Sequence, residues 1–552
     1  MRQYTVGIDF GTLSGRAVLM DISSGEVVAT AVCEYPHAVI DARLGDKVLP
    51  LNTALQHPSD YLLVLQTVIP SVLEQASVSA EEVIGLGYDF TGCTILPVDA
   101  NATPLCLWPK YQDEPNAYVK LWKHHASQKE ADDCTRIALE RNEPWLGSYG
   151  GKISSEWMIP KILQILRESP EVYYDTARFL EAADWLTWIL SGNEVHSIPF
   201  AGYKALWNEV SGYPSKEYFA ALDPQMKEIV GTKLSERLVG VGEIAGYLSS
   251  KGAELTGLTA GTPISVPLLD AHASMPAVGL TEEGAMMLIL GTSSVQMLQT
   301  KEKKRLDGIC GSVLGGVIPG LYMHEAGQAC CGDHFDWFVK NSLPASYEAE
   351  AKEKGIGLHQ LLTEKASKLA VGESGLLALD WFNGNRSILE DSDLKGMILG
   401  MTLRTRPEEI YRALIEATAY GTRVIVDNFV KHGMTVDRIV ASGGIAEKNE
   451  MLVQIYADVL DRAITVTDAK LSSSLGSAIY AAVAGGAYRD IHEAVGALAV
   501  TSGKTYRPIK ENVQRYERLY AEYQMLHDYF GRGGNDVMHR LSHLWEEAKK
   551  EK

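Results

Sequence analysis

The feature that most constrains this chain is a short motif that occurs twice, once in each half. Gly11-Thr12 lies between two apolar segments near the N-terminus, and Gly291-Thr292 lies between two more about half the chain further on. Each motif predicts a β-hairpin, with a second strand at residues 16–21 in one case and 295–299 in the other. A hairpin of the same design in each half predicts two similar lobes that face one another.

The turns of these hairpins have the chemistry of a phosphate site. Backbone N–H groups in such turns can converge on an anion, and glycine allows the ligand to approach closely. Hydroxyl groups add further donors: those of Thr12 and Ser14 in the first turn, and those of Thr292 and Ser293 beside Gly291 in the second. We therefore expect a nucleotide polyphosphate between the lobes.

Composition excludes several other classes of protein. A chain of 552 residues is too long for one compact core, so two or more domains are expected. The net charge of −19 argues against nucleic acid as a partner. The seven cysteines form no CxxC pair, which argues against zinc and fits a reducing cytoplasm. We expect no signal peptide and no membrane span, because no apolar stretch is long enough.

The order of predicted elements divides the chain into domains at 1–262 and 263–552. The first begins with a β-meander, followed by a helix and a strand that ends in a loop from residue 89. The second begins with a strand and ends in a helical tail after about residue 510. The predicted strands are residues 5–9, 16–21, 27–34, 83–88, 264–269 and 439–441, and the predicted helices include 61–75 and 407–431.

Two aspartates at predicted strand ends are candidates for chemistry. Asp9 ends an apolar strand at the mouth of the first turn, where a carboxylate could hold Mg²⁺ with phosphate oxygens. Asp270 follows another apolar strand, where it could accept the proton of a hydroxyl that attacks a γ-phosphate. The structural alternatives are a turn cap for Asp9 and a helix N-cap for Asp270.

Other candidates also have plain structural explanations. Gly443-Gly444 could let a flat ring approach the backbone, or could form an ordinary strand-to-helix turn, and Asn449 could be a surface residue. Lys204 and Glu325 lie among apolar neighbours, so they could bind polyol hydroxyls or pair with each other. Trp122 could pack on a sugar face or lie in the core, and His272 is expected to be structural. The P-loop, GxGxxG, HExxH and GxSxG motifs are absent from the sequence.

Taken together, these motifs resemble the FGGY carbohydrate kinases of the actin/hexokinase/Hsp70-like ATPase superfamily. The resemblance covers residues 4–500 and rests on the two hairpins and on several shorter motifs. These are residues 157–161, 269–273, 442–444, 472–478 and 481–486. Segments at residues 121–124, 150–157 and 202–207, with the insertion before residue 400, resemble a subgroup that acts on L-ribulose.

The resemblance implies an α/β fold of two ribonuclease-H-like domains, with ATP and a sugar in the cleft between them. It implies phosphorylation of the 5-hydroxyl of a ketopentose, with L-ribulose expected. The alternatives are kinases for D-xylulose, ribitol or L-xylulose, and a non-kinase ATP-driven switch. It implies that Asp270 is the catalytic base and that Asp9 helps to hold Mg²⁺. The implied phosphate contacts are Thr12, Gly291 and Thr292, the adenosine contacts are Gly443, Gly444 and Asn449, and the sugar contacts are Gly92, Trp122, Lys204 and Glu325. A homo-oligomer is compatible with all of this.

Overall fold

Two large mixed sheets form the framework of the protein. The computed structural model describes residues 2–550, without the side chains of residues 546, 549 and 550. The order of strands in the N-terminal sheet is Ile244–Tyr247, Pro263–Ser265, Val83–Phe90, Tyr4–Phe10, Ser14–Asp21 and Val27–Glu34, with Leu268–Leu269 also beside Val83–Phe90. The order in the C-terminal sheet is Gly503–Tyr506, Ile464–Thr467, Arg438–Ser442, Ala285–Leu290, Ser294–Thr300, Tyr322–Gln328 and Gly311–Leu314.

Six strands of one sheet correspond one for one to six strands of the other. In each, a central strand pairs antiparallel with the strand after it and parallel with a strand much later in the chain. The next parallel pair and the antiparallel edge strand also follow the same pattern in both. The predicted pair of similar α/β halves, each built around a Gly-Thr hairpin, is therefore confirmed.

Helices cover both sheets, and smaller sheets occur in both halves. Helix Pro407–Lys431 has proline at its first position and glutamates in its first turn, which suit a helix start. The remaining helices of at least six residues are Ser59–Ala76, Gln128–Glu140, Met158–Glu168, Pro170–Asp175, Ala182–Ser191, Ile198–Lys204, Lys216–Leu222, Ser250–Thr256, Asp270–Ala277, Gly332–Ser342, Ala345–Lys354, Leu358–Ala366, Glu450–Leu460, Ser472–Ala484, Ile491–Leu498, Lys510–Gly531 and Val537–Lys550. The smaller strands are Arg43–Leu44, Lys47–Val48, Leu55–Gln56, Ile95–Val98, Val119–Lys120, Arg178–Glu181, His196–Ser197, Leu238–Val239, Leu377–Leu379 and Met397–Leu399.

Two predicted elements differ from the observed ones. The strand predicted at residues 264–269 is interrupted at Val266-Pro267, because proline has no N–H to donate to a strand ladder. The loop predicted from Asp89 begins later, since the strand Val83–Phe90 includes that residue. The division between residues 262 and 263 stays a prediction, and the two strand segments that follow it pair with the N-terminal sheet.

The helical tail packs against the C-terminal half. Tyr516 and Tyr523 of helix Lys510–Gly531 are buried, and their hydroxyls donate to Glu416 and Asp380. Among residues 2–550, none of the helices combines the length and the hydropathy that a membrane crossing requires.

Helix Ser472–Ala484, from the C-terminal half, lies directly on the N-terminal sheet. A methyl group on Gly7 would lie 1.9 Å from the carbonyl oxygen of Ser474, and one on Gly85 would lie 2.2 Å from that of Ala481. The hydroxyl of Thr5 donates to the carbonyl of Ala478 at 3.0 Å. The two halves are therefore joined by backbone contacts that only glycine permits.

The glycine contact makes a stability prediction. Gly7→Ala should lower the free energy of unfolding by about 2–3 kcal/mol, because the added methyl group pushes against backbone that cannot rotate away. Gly496→Ala is the control, since it lies in the exposed part of helix Ile491–Leu498 with open space around it. That change should be neutral or stabilising by up to about 1 kcal/mol. Thermal unfolding of both variants is the measurement, and equal melting temperatures would contradict the contact.

Candidate active site

Three carboxyl groups lie side by side at one edge of the N-terminal sheet. Asp9 and Asp89 are paired residues on neighbouring parallel strands. Asp270 begins the helix that directly follows Leu269, and Leu269 is paired with Phe90. Strand register therefore brings together three acidic groups that are distant in the sequence, and the two predicted aspartates share this edge.

Burial shifts the pKa values of these carboxyls upward, and the charge of Asp9 adds to the shift for Asp89 and Asp270. Burial raises the pKa of Asp9, against the lowering effects of Asp89 and of Arg16, whose Nη1 lies 3.5 Å from Asp9 Oδ2. Burial and the charge of Asp9 raise the pKa of Asp270 to about 7, although the backbone N–H of Ala271 donates to Asp270 Oδ1 at 2.7 Å. A carboxyl that titrates near neutrality can exchange a proton with a bound hydroxyl.

Asp89 was not among the predicted site residues, although it resembles Asp9 as an acid near the end of an apolar strand. Its Oδ2 accepts a hydrogen bond from Ser477 Oγ at 2.6 Å, and its buried Oδ1 has no hydrogen-bond partner among the described residues. Burial and the charge of Asp9 raise its pKa well above the usual value. Ser477 belongs to helix Ser472–Ala484, so this contact links the carboxyl edge to the C-terminal half.

The first hairpin turn is fixed by hydrogen bonds, and its residues Gly11 and Thr12 remain partly accessible. The backbone N–H of Gly11 donates to Ser14 at 3.0 Å, which closes the turn. Gln56 Nε2 donates to the carbonyl of Thr12 at 2.8 Å, and Trp122 Nε1 donates to its hydroxyl at 3.1 Å. Ser14 is buried at the start of the second strand, while Gly11 and Thr12 are half-exposed.

The second hairpin turn lies beside the Gly443-Gly444 loop. The carbonyls of Gly291 and Thr292 accept N–H groups from residues 331–333, while Thr292 is exposed and Ser293 is half-exposed. Gly443 has φ 101°, and a methyl group there would lie 2.4 Å from the carbonyl oxygen of Leu290. The predicted phosphate and adenosine contacts of this half are therefore neighbours.

Asn449, in contrast, has a clear structural role. It caps helix Glu450–Leu460, because its side-chain oxygen accepts the N–H of Leu452 at 3.1 Å. Its amide nitrogen donates to Thr363 Oγ1 at 3.3 Å. A contact between this amide and adenosine stays a prediction.

An ion pair joins the two halves next to Asp270. Lys204 Nζ lies 3.5 Å from Glu325 Oε1, and His272 Nε2 lies 2.8 Å from Glu325 Oε2. Burial alone would raise the pKa of Glu325, but Lys204 and His272 outweigh it and hold that pKa well below its usual range. Gly92 is next to this pair, since a methyl group there would lie 3.2 Å from Lys204 Cε. Four of the predicted sugar-site residues, Gly92, Lys204, Asp270 and Glu325, are therefore brought together.

Trp122 contacts the first hairpin, through Thr12, and has no hydrogen bond to Lys204 or Glu325. It is half-buried and its ring nitrogen donates to Thr12, so it is not a fully buried core residue, and a contact between this ring and the sugar stays a prediction. Two further charged groups were not predicted as site residues: Arg386 lies close to Glu325, and Glu156 pairs with Arg386.

Comparisons with known proteins show the family of the chain. Residues 4–277 match the N-terminal domain of the FGGY family of carbohydrate kinases, and residues 286–485 match the C-terminal domain. A ribulokinase of Bacillus licheniformis is 52% identical over 538 residues, which cover 96% of this chain and 97% of that protein. A ribulokinase of Geobacillus thermodenitrificans is 49% identical over 554 residues, covering 99% of this chain and 98% of the relative.

Solved structures show the same fold at lower identity. A xylulose kinase from Rhodospirillum rubrum superimposes with a TM-score of 0.78 at 21% identity, covering 95% of this chain and 98% of that one. A gluconate kinase from Lactobacillus acidophilus has a TM-score of 0.80 at 17% identity, covering 97% and 99%. The predicted two-domain sugar-kinase fold is confirmed.

Proposed function

Because the chain belongs to the FGGY family of carbohydrate kinases, we propose that it transfers the γ-phosphoryl group of ATP to the 5-hydroxyl of L-ribulose. The protein is a carbohydrate kinase, and the choice of sugar is the proposal. The observation that carries it is the 49–52% identity, over nearly the whole chain, to proteins named ribulokinase.

Asp270 is the proposed catalytic base. Its Oδ1 is occupied by the N–H of Ala271, while Oδ2 accepts no hydrogen bond from a described residue and can receive a proton. With a pKa of about 7, this carboxylate accepts the proton of the 5-hydroxyl as the oxygen attacks phosphorus. The neighbouring ion pair of Lys204 and Glu325 can hold the other hydroxyls of the sugar, and Gly92 leaves room for them.

The residues at the carboxyl edge fit a magnesium ion. Carboxylate oxygens are the preferred ligands of Mg²⁺, Asp9 is 14% exposed, and the buried Oδ1 of Asp89 next to it has no partner among the described residues. Asp9 would hold the ion, whose positive charge would offset the negative charge of the transferred phosphoryl group.

The two hairpin turns are the proposed phosphate contacts, through Thr12 and Ser14 in one half and residues 291–293 in the other. Gly443, Gly444 and Asn449 are the proposed adenosine contacts. Closure of the halves over both substrates would exclude water, which would otherwise consume ATP by hydrolysis. We place the enzyme in the cytoplasm, because all seven cysteines are unpaired.

A panel of sugars tests the proposed substrate. ADP formation should be strictly dependent on sugar and fastest, by kcat/KM, with L-ribulose among L-ribulose, D-xylulose, L-xylulose and ribitol. A coupled ADP assay measures each rate, with ATP alone as the control for hydrolysis. A higher kcat/KM with another pentulose or with ribitol would identify that sugar as the substrate instead of L-ribulose. Sugar-independent hydrolysis of ATP would contradict the proposed kinase activity.

Replacing Asp270 with Asn tests the base. The amide cannot accept the proton, so kcat should fall by about 100- to 10,000-fold, while the dissociation constant of L-ribulose should change little. Rapid-quench kinetics and calorimetric sugar binding are the two measurements. Asp223→Asn, at the N-cap of a short surface helix, is the control and should retain full turnover. A kcat close to that of the unmodified enzyme would exclude Asp270 as the base.

The raised pKa of Asp270 also predicts how activity depends on pH. Below pH 7 the carboxyl becomes protonated, so kcat/KM should fall about tenfold per pH unit, and above pH 7 it should reach a plateau. Glu325 stays ionised across this range, because its pKa is held far below it. The measurement is kcat/KM between pH 5.5 and 8.5 at low concentrations of both substrates. A profile that is flat between pH 6 and 8 would contradict the assignment.

A further inference from the structure

Arg386 lies in a loop that packs against the face of strand Tyr322–Gln328 that carries Glu325, at a junction between the two halves. A methyl group on Gly327 would lie 3.6 Å from Arg386 Nη1. Gly327 follows Glu325 by two positions in strand Tyr322–Gln328, so both residues point to the same side of the sheet. The loop that carries Arg386 is fixed there, because Ser387 N donates to the carbonyl of Gly327 at 3.0 Å and Ser387 Oγ accepts the N–H of Gly327 at 3.2 Å.

The guanidinium of Arg386 has unused hydrogen-bonding capacity. It is only 32% exposed, and its one ion pair with a described residue joins Nη2 to Glu156 Oε1 at 3.5 Å. None of its five N–H donors makes a hydrogen bond to a residue that the structure describes. These donors are therefore available to acceptor oxygens of a molecule that binds beside Glu325.

Asp270 and Arg386 have a charged neighbour in common. Asp9, Glu325 and Lys204 all affect the pKa of Asp270. Burial alone would lower the pKa of Arg386, but Glu156 and Glu325 help to raise it. Glu325 is the neighbour that Asp270 and Arg386 share. The ion pair of Lys204 and Glu325 is therefore next to Asp270 and also next to the pair of Arg386 and Glu156.

We propose that Arg386 binds the end of the sugar opposite to the phosphorylated hydroxyl, and that Glu156 positions Arg386 for this contact. The inference rests on the proposed ketopentose kinase activity. With the 5-hydroxyl at Asp270, the C2 carbonyl and the C1 hydroxyl lie at the far end of the molecule. The planar fork of a guanidinium suits two neighbouring acceptor oxygens, of which the carbonyl is the rigid one. Arg386 therefore selects for a ketose.

The contact depends on the two halves being together. Glu156 comes from the N-terminal half, and Arg386 comes from the C-terminal half. Around them, Lys152 Nζ donates to the carbonyl of Glu390 at 2.8 Å, and the N–H of Gly308 donates to Gly150 at 3.4 Å. Recognition of the keto end is therefore possible only where this junction is formed.

Arg386→Met tests the proposal with two acceptors, L-ribulose and ribitol, in which an alcohol replaces the C2 carbonyl. The variant should raise KM for L-ribulose by about 10- to 100-fold, with kcat within about threefold, because a charge-assisted hydrogen bond is lost. The loss of kcat/KM with ribitol should be at least about fivefold smaller, since its C2 oxygen is not held in the plane of a carbonyl. Glu156→Gln should change KM in the same direction by a smaller factor. Calorimetric binding of L-ribulose without ATP checks that the change is in sugar affinity.

Lys152→Met is the matched control, because it removes a contact at the same junction without changing either member of the Arg386–Glu156 pair. Any loss in this variant should be the same factor for both acceptors. Equal losses with Arg386→Met, or a loss in kcat alone, would show that Arg386 only holds the halves together and would overturn the proposal. If Arg386→Met does not fold, Arg386→Lys decides, since it keeps the charge and loses the fork. An unmodified enzyme that is inactive on L-ribulose would instead contradict the proposed function.

Discussion

The backbone contact between helix Ser472–Ala484 and the N-terminal sheet positions most of the carboxyl edge. Gly7 and Gly85 allow the helix to lie against two strands, and Ser477 then reaches Asp89. On its other side, a methyl group on Gly476 would lie 1.7 Å from the carbonyl oxygen of Ala273, within the helix that Asp270 begins. One helix from the C-terminal half thus supports two of the three carboxyls. A shift of this helix would disturb the proposed base and the joint between the halves at the same time.

The proposed sugar side of the site is built differently, from charged groups of both halves. Lys204 and Arg386 are cations with few bonds to the protein, and Glu325 and Glu156 keep them in place. Because the charges are already paired, a neutral sugar can replace water around them without leaving an isolated buried ion. Such a site binds hydroxyls and carbonyls while remaining stable before the sugar arrives.

The sequence was sufficient for the framework and for the residues next to recognisable turns. Gly11, Gly291 and the aspartates at positions 9 and 270 stand where local pattern and element order coincide, so their placement could be predicted. Asp89 was harder, because a strand end and a loop start look alike without knowing the partner strand, and here the pairing with Asp9 extends the strand. Glu156 and Arg386 could not be found in this way. They approach each other only through the junction of the two halves, and 229 intervening residues contain no local signal of that contact.

The cluster of three carboxyls concentrates negative charge in a place where it disfavours stability. Burial raises the pKa values of Asp9, Asp89 and Asp270, and the charge of Asp9 raises those of Asp89 and Asp270 further, so the edge is electrostatically unfavourable when all three are ionised. A divalent cation with its polyphosphate, as proposed, would relieve this repulsion near Asp9 and favour the ionised form of Asp270. The base would then be most active when the phosphoryl donor is in place. A carboxyl edge of this kind couples nucleotide binding to proton acceptance through charge alone, without any need for a change in fold.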